Sequence, residues 1–344
     1  MLSNQLKNGI ILILILVLIL VCILGITWGA VAVPIKEILQ TVALHIPFLE
    51  HLISPVSSST DSIIWQIRLP RVVLAGLVGM ALAMAGVGYQ GMFNNPMADP
   101  HILGVSQGAA CGACLAMIMQ NHLQLPEWMI PVAAFVGAVA AMMLIYFLAK
   151  QNGRLPVMRL LLSGLILGTL LSALLSLLVY FSDQQLHRVV YWLMGGFSAR
   201  NWGHVNMVVF YIIAGGLLML CMPRELNLLR LGEENAQHLG VEIELAKRII
   251  LFCAALLTAS AVAAGGVIGF VGLIMPHAAR LLVGHDHRIL LPASALLGAG
   301  FLVASDLIAR TLMAPLELPV GVITSLIGAP FFIYLMYRSN NELV

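Results

Sequence analysis

Apolar residues in this chain run in blocks of about twenty, the length that carries an α-helix across ~30 Å of hydrocarbon. Short polar or Pro/Gly-rich breaks separate the blocks, and the pattern predicts ten spans: 10–32, 72–92, 102–119, 128–149, 160–181, 205–222, 249–267, 268–283, 289–309 and 320–337. The seventh and eighth divide one long apolar tract at Gly265, Gly266, Gly269, Gly272 and Pro276, which predicts a short, broken helix there. The second carries Ala75, Gly79 and Ala83 at helical spacing, with Gly76, Gly86, Gly88 and Gly91 beside them. Such a row lets helices approach closely and predicts a tightly packed bundle rather than a wide pore. The fold class is therefore an all-α polytopic membrane protein, a single transmembrane domain over 1–344 with several helices short or interrupted.

Two polar segments break the pattern. Residues 34–71 form an outer loop in which Pro47, Pro55 and Ser57-Ser58-Ser59-Thr60 predict irregular backbone. Residues 223–248 form an inner loop with nine charged residues, the only substantial polar surface offered to the cytoplasm. Within it, Gly232 opens a short helix, Glu233 and Glu234 sit in the first turn where the helix dipole favours acids, and Gly240 suits a left-handed cap. A second short helix follows, on which Glu244 and Arg248 are spaced to pair. Such an elbow reads either as an ordinary solvated loop or as a part that transmits motion from a cytoplasmic partner.

Composition agrees, with 61% hydrophobic and 9% charged residues against roughly 25% charged in a soluble domain. With the N-terminus inside, eleven Lys and Arg residues fall on the inner side and six on the outer: Lys36, Arg68, Arg71, Arg188, Arg200 and Arg310. The positive-inside rule then places both termini in the cytoplasm. The first apolar block is too long for a signal-peptide core, although Ala30-Val31-Ala32 resembles a cleavage site. The five cysteines lie in apolar stretches and read as buried small hydrophobes.

Catalytic and metal chemistry is poorly represented. No H-E-x-x-H, G-x-S-x-G or G-x-x-x-x-G-K-[ST] pattern occurs, so neither a metalloprotease nor a nucleophile elbow nor a nucleotide-binding loop is encoded. Cys111-Gly112-Ala113-Cys114 has redox spacing but no strand before it, and His285-Asp286-His287 lacks the further ligands of a zinc site. His277 follows Pro276 and reads as a packing residue, while Asn94-Asn95-Pro96-Met97-Ala98-Asp99-Pro100 reads as a rigid connection in which Asp99 caps a neighbouring helix. An ion-coupled secondary transporter or channel is the main alternative to a driven permease, but such carriers place ionisable groups deep in their spans. Here only Arg280 and Asp306 approach that description, both toward span ends. Between spans 4 and 5, Leu155, Pro156, Val157 and Met158 lie between Arg154 and Arg159, and an apolar constriction of this kind fits an inner gate.

The stretches IRLPRVVLAG, YQGMFNNPMADPHILGVSQGAA, LGEENAQHLGV, GFVGLIMPHAARLL with DHRILLP, and ASDLIAR with ELPVGVITSLIGAPFFIYLM resemble the FecCD-type permease family. These are membrane subunits of ATP-binding-cassette importers for ferric siderophores, haem and cobalamin, and the resemblance runs from about Trp65 to the C-terminus. It implies ten helices per subunit in the cytoplasmic membrane and a homodimer or related pair. It also implies two cytoplasmic ATPase subunits that hold the ATP and Mg²⁺, an external binding protein, and no cofactor or catalysis in this chain. The resemblance further implies that the elbow from Gly232 through Glu233, Glu234 and Ala236 to Gly240 inserts into the ATPase. Arg68, Arg71 and Arg310 are implied to meet acids on the binding protein, and Asp306, four residues before Arg310, is spaced to hold that arginine in place. Ferric siderophore is the first expectation for cargo, ahead of haem and cobalamin.

Overall fold

The structure, a computed structural model, describes residues 4–29, 33–45, 56–101 and 103–341. Ala30-Val31-Ala32, Pro47, Pro55 and the C-terminal Val344 lie outside the described residues. In chain order the helices are α1 (Asn4–Thr27), α2 (Ile35–Leu44), α3 (Ser58–Asp61), α4 (Leu69–Phe93), α5 (Val105–Leu123), α6 (Met129–Ala149), α7 (Val157–Tyr180) and α8 (Leu186–Leu193). They continue with α9 (Trp202–Leu220), α10 (Pro223–Leu229), α11 (Glu233–His238), α12 (Ile243–Gly265), α13 (Val271–Val283), α14 (His287–Thr311) and α15 (Val320–Asn341). Among the described residues seven helices are long and apolar enough to cross a membrane, and three shorter apolar ones, in α5, α13 and α15, bring the set to the ten expected. The break between the seventh and eighth spans falls at residues 266–270, as the glycines predicted.

The segment 34–71 departs from the expectation of irregular backbone. Its first part is α2, and the Ser57 side chain accepts the Thr60 N–H to start a helix that runs through a π-helical stretch, Ser62–Arg68, directly into α4. The serine run read as a loop signal is an N-cap, the other role that serine plays. Two amphipathic elements were also not foreseen: α8, between the fifth and sixth spans, and α10, just before the elbow.

Helix α4 is the centre of the bundle, packing against α14, α12, α13 and α9. Its small residues explain why. A Cβ on Gly79 would stand 2.1 Å from the Gly298 carbonyl oxygen of α14, and one on Gly86 would stand 1.9 Å from the Gly272 carbonyl oxygen of α13. Helix meets helix there backbone to backbone, the arrangement that small residues permit when no hydrophobic gain drives association in lipid. In contrast, α7 leaves a row of large apolar side chains exposed, including Leu162, Leu165, Ile166, Leu170, Leu174 and Leu177. Where α12 ends, the non-helical backbone is enclosed and its polar groups are satisfied across elements: Gly196 N–H donates to Gly265 C=O, and Val320 N–H to Gly195 C=O.

Replacing Gly79 by alanine forces α4 and α14 apart and should cost about 1–3 kcal/mol, as overpacking does. Gly9→Ala on α1, where a Cβ meets nothing within 4 Å, should change stability by no more than about 0.5 kcal/mol. Thermal unfolding of both variants in detergent measures the difference, and equal melting curves would count against backbone contact as the organising element.

Candidate functional site

Two polar constellations sit at opposite ends of the antiparallel pair α4–α14. At one end Gly91 of α4 lies against Leu226 of α10 and His287 of α14; at the other Arg71 of α4 meets Asp306 of α14. The 20 residues from Arg71 to Gly91 of α4 separate them by about 30 Å at ~1.5 Å per residue.

The first constellation is the elbow. Gly232 caps α11 at φ +96°, Glu233 and Glu234 occupy its first turn, and the chain leaves through Gly240 at φ +83°. Gly240 N–H donates to Gln237 C=O and Val241 N–H to Ala236 C=O, a Schellman motif closed by contact between buried Ala236 and Val241, which cluster with Ala246. The glycine at φ +83° makes that reversal possible at no side-chain cost. The predicted second short helix does not exist as a separate element: Glu244 and Arg248 lie in the opening turns of α12.

Nor do those two residues pair. Glu244 Oε2 accepts the Leu155 N–H at 2.7 Å, and Arg248 donates to Gly153 C=O at 3.4 Å. Between them Lys247, buried beneath the loop, contacts Glu233 Oε1 at 2.6 Å and donates to Leu155 C=O at 3.2 Å. Backbone groups of the 150–156 loop outcompete an exposed i,i+4 pair, because a charged group that is already partly buried gains more from a fixed partner than from a solvated one. The elbow is thus latched through Lys247 to the segment expected to gate. Within that segment Leu155 is packed in the interior of its own chain, Pro156 and Val157 are half-buried, and only Met158, at 76% exposure, projects outward.

The second constellation holds Arg68, Arg71 and Arg310, which the structure brings together but does not expose. Their relative exposures are 5%, 7% and 8%. Arg71 donates from Nε and Nη2 to Asp306, at 2.8 to 3.0 Å, and from Nη1 to Glu317, at 2.9 and 3.0 Å. Asp306 therefore serves Arg71 first, with Arg310 Nε 3.8 Å away, which corrects the expectation that it mainly holds Arg310. Arg310 and Arg68 close the C-terminal end of α1 instead: Arg310 donates to Gly25 C=O, and Arg68 Nη1 to the Ile26 and Thr27 carbonyls at 2.8 and 3.1 Å. A helix C-terminus presents such carbonyls without intrahelical partners and favours cations. All three guanidinium groups thus engage this chain rather than the lipid interface.

Glu317, unnoticed in the sequence, is the half-exposed member of the cluster. Burial opposes its ionisation, but the Arg71 hydrogen bond and charge outweigh it and hold the carboxyl below the ordinary glutamate range. In the sequence it heads the ELPVGVITSLIGAPFFIYLM stretch and is the one acid between Thr311 and Val320.

Asp99 and Cys111 have partners within the fold. Asp99 Oδ1 accepts the His101 N–H at 2.8 Å, so it closes its own turn rather than capping a neighbouring helix. Cys111 and Cys114 are buried, Cys111 donates weakly to Leu171 C=O, and no group of three or more metal-ligating side chains occurs among the described residues. Cys221 is exposed, against the expectation that all five cysteines are buried.

Asp306→Ala leaves Arg71 buried without its principal partner and should cost about 3–5 kcal/mol. Glu317→Gln should cost about 1 kcal/mol or less at neutral pH, because Glu317 is partly solvated. A lowered folded-state pKa stabilises above the ordinary carboxylate range and is lost as pH falls through the lowered value. Melting curves of wild type and Glu317→Gln should accordingly converge in acid, and a constant gap down to low pH would contradict the pairing.

Comparison with known proteins covers nearly the whole chain. Residues 15–338 match the FecCD transport family. The cobalamin import system permease protein BtuC of Halobacterium salinarum is 46% identical over 294 residues, covering 86% of this chain and 78% of that protein. The hemin transport system permease protein HmuU of Yersinia pestis is 43% identical over 296 residues, covering 83% of this chain and 87% of that protein. A solved structure described as an inward-facing conformation of a metal-chelate type ABC transporter aligns with a TM-score of 0.84 at 33% identity, covering 96% of this chain and 99% of that one. With the match reaching from within α1 to within α15, this chain belongs to the FecCD transport family.

Proposed function

We propose that the chain is the permease subunit of an ATP-binding-cassette importer. It pairs with a second permease subunit, most simply another copy of itself, and moves a metal chelate inward by alternating access. The single observation that carries this reading is the latched elbow at one end of the α4–α14 pair with the arginine cluster at the other. The elbow faces cytoplasmic ATPase subunits, which hold the ATP and Mg²⁺, and Gly232, Glu233, Glu234, Ala236 and Gly240 form the part they grip. No catalysis is assigned to the permease. Motion of α11 reaches the 155–158 gate through Lys247, bonded to both Glu233 and Leu155.

The arginine cluster faces an external binding protein. Because Arg71 is already neutralised by Asp306 and Glu317, an incoming acid competes with Glu317 for the guanidinium group rather than meeting three exposed charges. Ion coupling fits poorly, since the buried Asp306 is committed through both carboxylate oxygens to Arg71. The names of the cobalamin and hemin relatives shift the cargo from a siderophore toward a tetrapyrrole chelate.

The test is to reconstitute the chain with its ATPase and binding protein in liposomes and compare ATPase stimulation by cobalamin, haem and a ferric siderophore. Stimulation by a tetrapyrrole is expected; stimulation by the siderophore alone would overturn the cargo assignment. In the same system Gly240→Pro, which cannot adopt φ +83°, should leave a folded subunit that couples ATP hydrolysis to transport poorly. Undiminished transport would remove the elbow from the mechanism. The orientation is tested by a reporter fused after Arg154, which should read as cytoplasmic.

A further inference from the structure

Beside the elbow lies a cavity of about 320 Å³ that the transport reading leaves without a role. Its wall is formed by the C-terminal end of α4 and the following loop (Gln90, Gly91, Asn94), by α13 (His277, Arg280), by Arg230 after α10, and by His285 and His287 at the start of α14. Two arginines face it and no carboxylate lines it. Asp286, the nearest acid in sequence, is not among the lining residues, and its Oδ1 accepts from Asn227 Nδ2 and the Arg288 N–H. The potential inside is positive: burial first, then Arg230 and Arg280, push the His285 imidazole below its ordinary pKa.

Three buried polar atoms in this wall have no hydrogen-bond partner: Arg280 Nη1, His287 Nε2 and Gln90 Oε1. Their chemistry can be assigned from the partners of the neighbouring atoms. Asn227 donates its Nδ2 to the Asp286 carboxylate, so its Oδ1 is the acceptor for His287 Nδ1 at 2.7 Å, and the imidazole proton sits on Nδ1. His287, at 1% exposure, is left with a bare Nε2 lone pair. Gln90 donates Nε2 to the Gly272 and Leu273 carbonyls at 3.2 and 3.3 Å, which leaves Oε1 as an acceptor too. The missing Cβ of Gly91 lets Leu226 and the imidazole edge pack close to α4, since a Cβ there would stand 2.7 Å from Leu226 Cδ2 and 3.1 Å from Nε2.

A cationic donor together with two unsatisfied acceptors suits an anion that also carries a proton to donate. A divalent cation would meet two arginines, and a fully deprotonated anion such as sulfate could pair with neither acceptor, whereas a single P–OH group pairs with one and spares the cost of that buried group. We propose that this cavity binds a hydrogen phosphate, either inorganic phosphate or the terminal group of a phosphomonoester. Arg280, with Arg230 at the rim, holds the charge, while the P–OH group donates to His287 or Gln90. The bound group ties the α13–α14 turn to the base of the elbow, because Arg230, which also donates to His285 C=O at 3.1 Å, follows α10 directly.

The test uses the full chain purified in detergent, titrated calorimetrically with potassium phosphate and with potassium sulfate at matched ionic strength. Phosphate should bind, sulfate should bind at least about tenfold more weakly, and Arg280→Gln should weaken phosphate about tenfold, the order of one charge-assisted hydrogen bond. Should Arg280→Gln fail to fold, Arg230→Gln at the exposed rim serves as the second variant and should weaken phosphate in the same direction. Native mass spectrometry with phosphatidic acid against phosphatidylglycerol separates the sources: selective retention of phosphatidic acid assigns the same chemistry to a lipid headgroup. Equal binding of sulfate and phosphate, or no binding of either phosphate or phosphatidic acid, overturns the proposal. Loss of ATPase association in Arg280→Gln without any phosphate effect also overturns it, in favour of a carboxylate from the partner subunit.

Discussion

The approach of α4 to α14 and α13 without intervening side chains is the constraint on which the rest of the structure depends. Glycine at 79 and 298, and at 86 and 272, brings the backbones together where any Cβ would collide with a carbonyl. Inside a bilayer, apolar side chains gain little by leaving lipid for protein, so close van der Waals contact over a long helix pair carries association. The same contact makes the pair a stiff element about 37 Å long, with the arginine cluster on one end and α10, which leads into the elbow, packed against the other. A change at one end is therefore carried to the other by the body of the pair rather than by a chain of flexible side chains.

The buried charges join elements that are distant in sequence. Taking Arg71 and Asp306 out of water costs several kcal/mol per ion, and their attraction repays that only with good geometry and satisfied hydrogen bonds. Here the geometry is supplied: the carboxylate takes two guanidinium nitrogens, Glu317 takes the third, and the neighbouring arginines end α1 by binding its last carbonyls. The cluster fixes α1, α4, α14 and the loop before α15 to one another at one end of the bundle. Lys247 does comparable work at the other end, joining α11, α12 and the 150–156 loop.

Much of this was legible because it is written in local periodicity. Ten apolar blocks became ten helices, and Gly232 and Gly240 marked the elbow because left-handed caps have a strong residue preference. Pairing was not legible where spacing along one helix competed with partners distant in sequence. Asp306 with Arg310 and Glu244 with Arg248 both have favourable i,i+4 spacing, yet Asp306 binds Arg71 across 235 positions and Glu244 binds Leu155 across 89. A surface pair contributes a few tenths of a kcal/mol, so a buried bidentate or backbone partner prevails once the fold supplies it. The arginines read as exposed for a related reason: nothing in a local window announces that the end of α1 will need three guanidinium-satisfied carbonyls. The serine run before α3 has two physical meanings, turn and N-cap, and only the continuity of the following helix decides between them.

If the α4–α14 pair is the rigid connection between the two ends, its length must stay constant while the elbows of the two subunits move. Spin labels at exposed positions 94 and 312, in a background without native cysteines, report that length by pulsed electron resonance in the assembled transporter. The account predicts one unchanged distance with and without ATP and binding protein, while labels on the paired elbows separate or close. A change between positions 94 and 312 approaching one helical turn, about 5 Å, would contradict it.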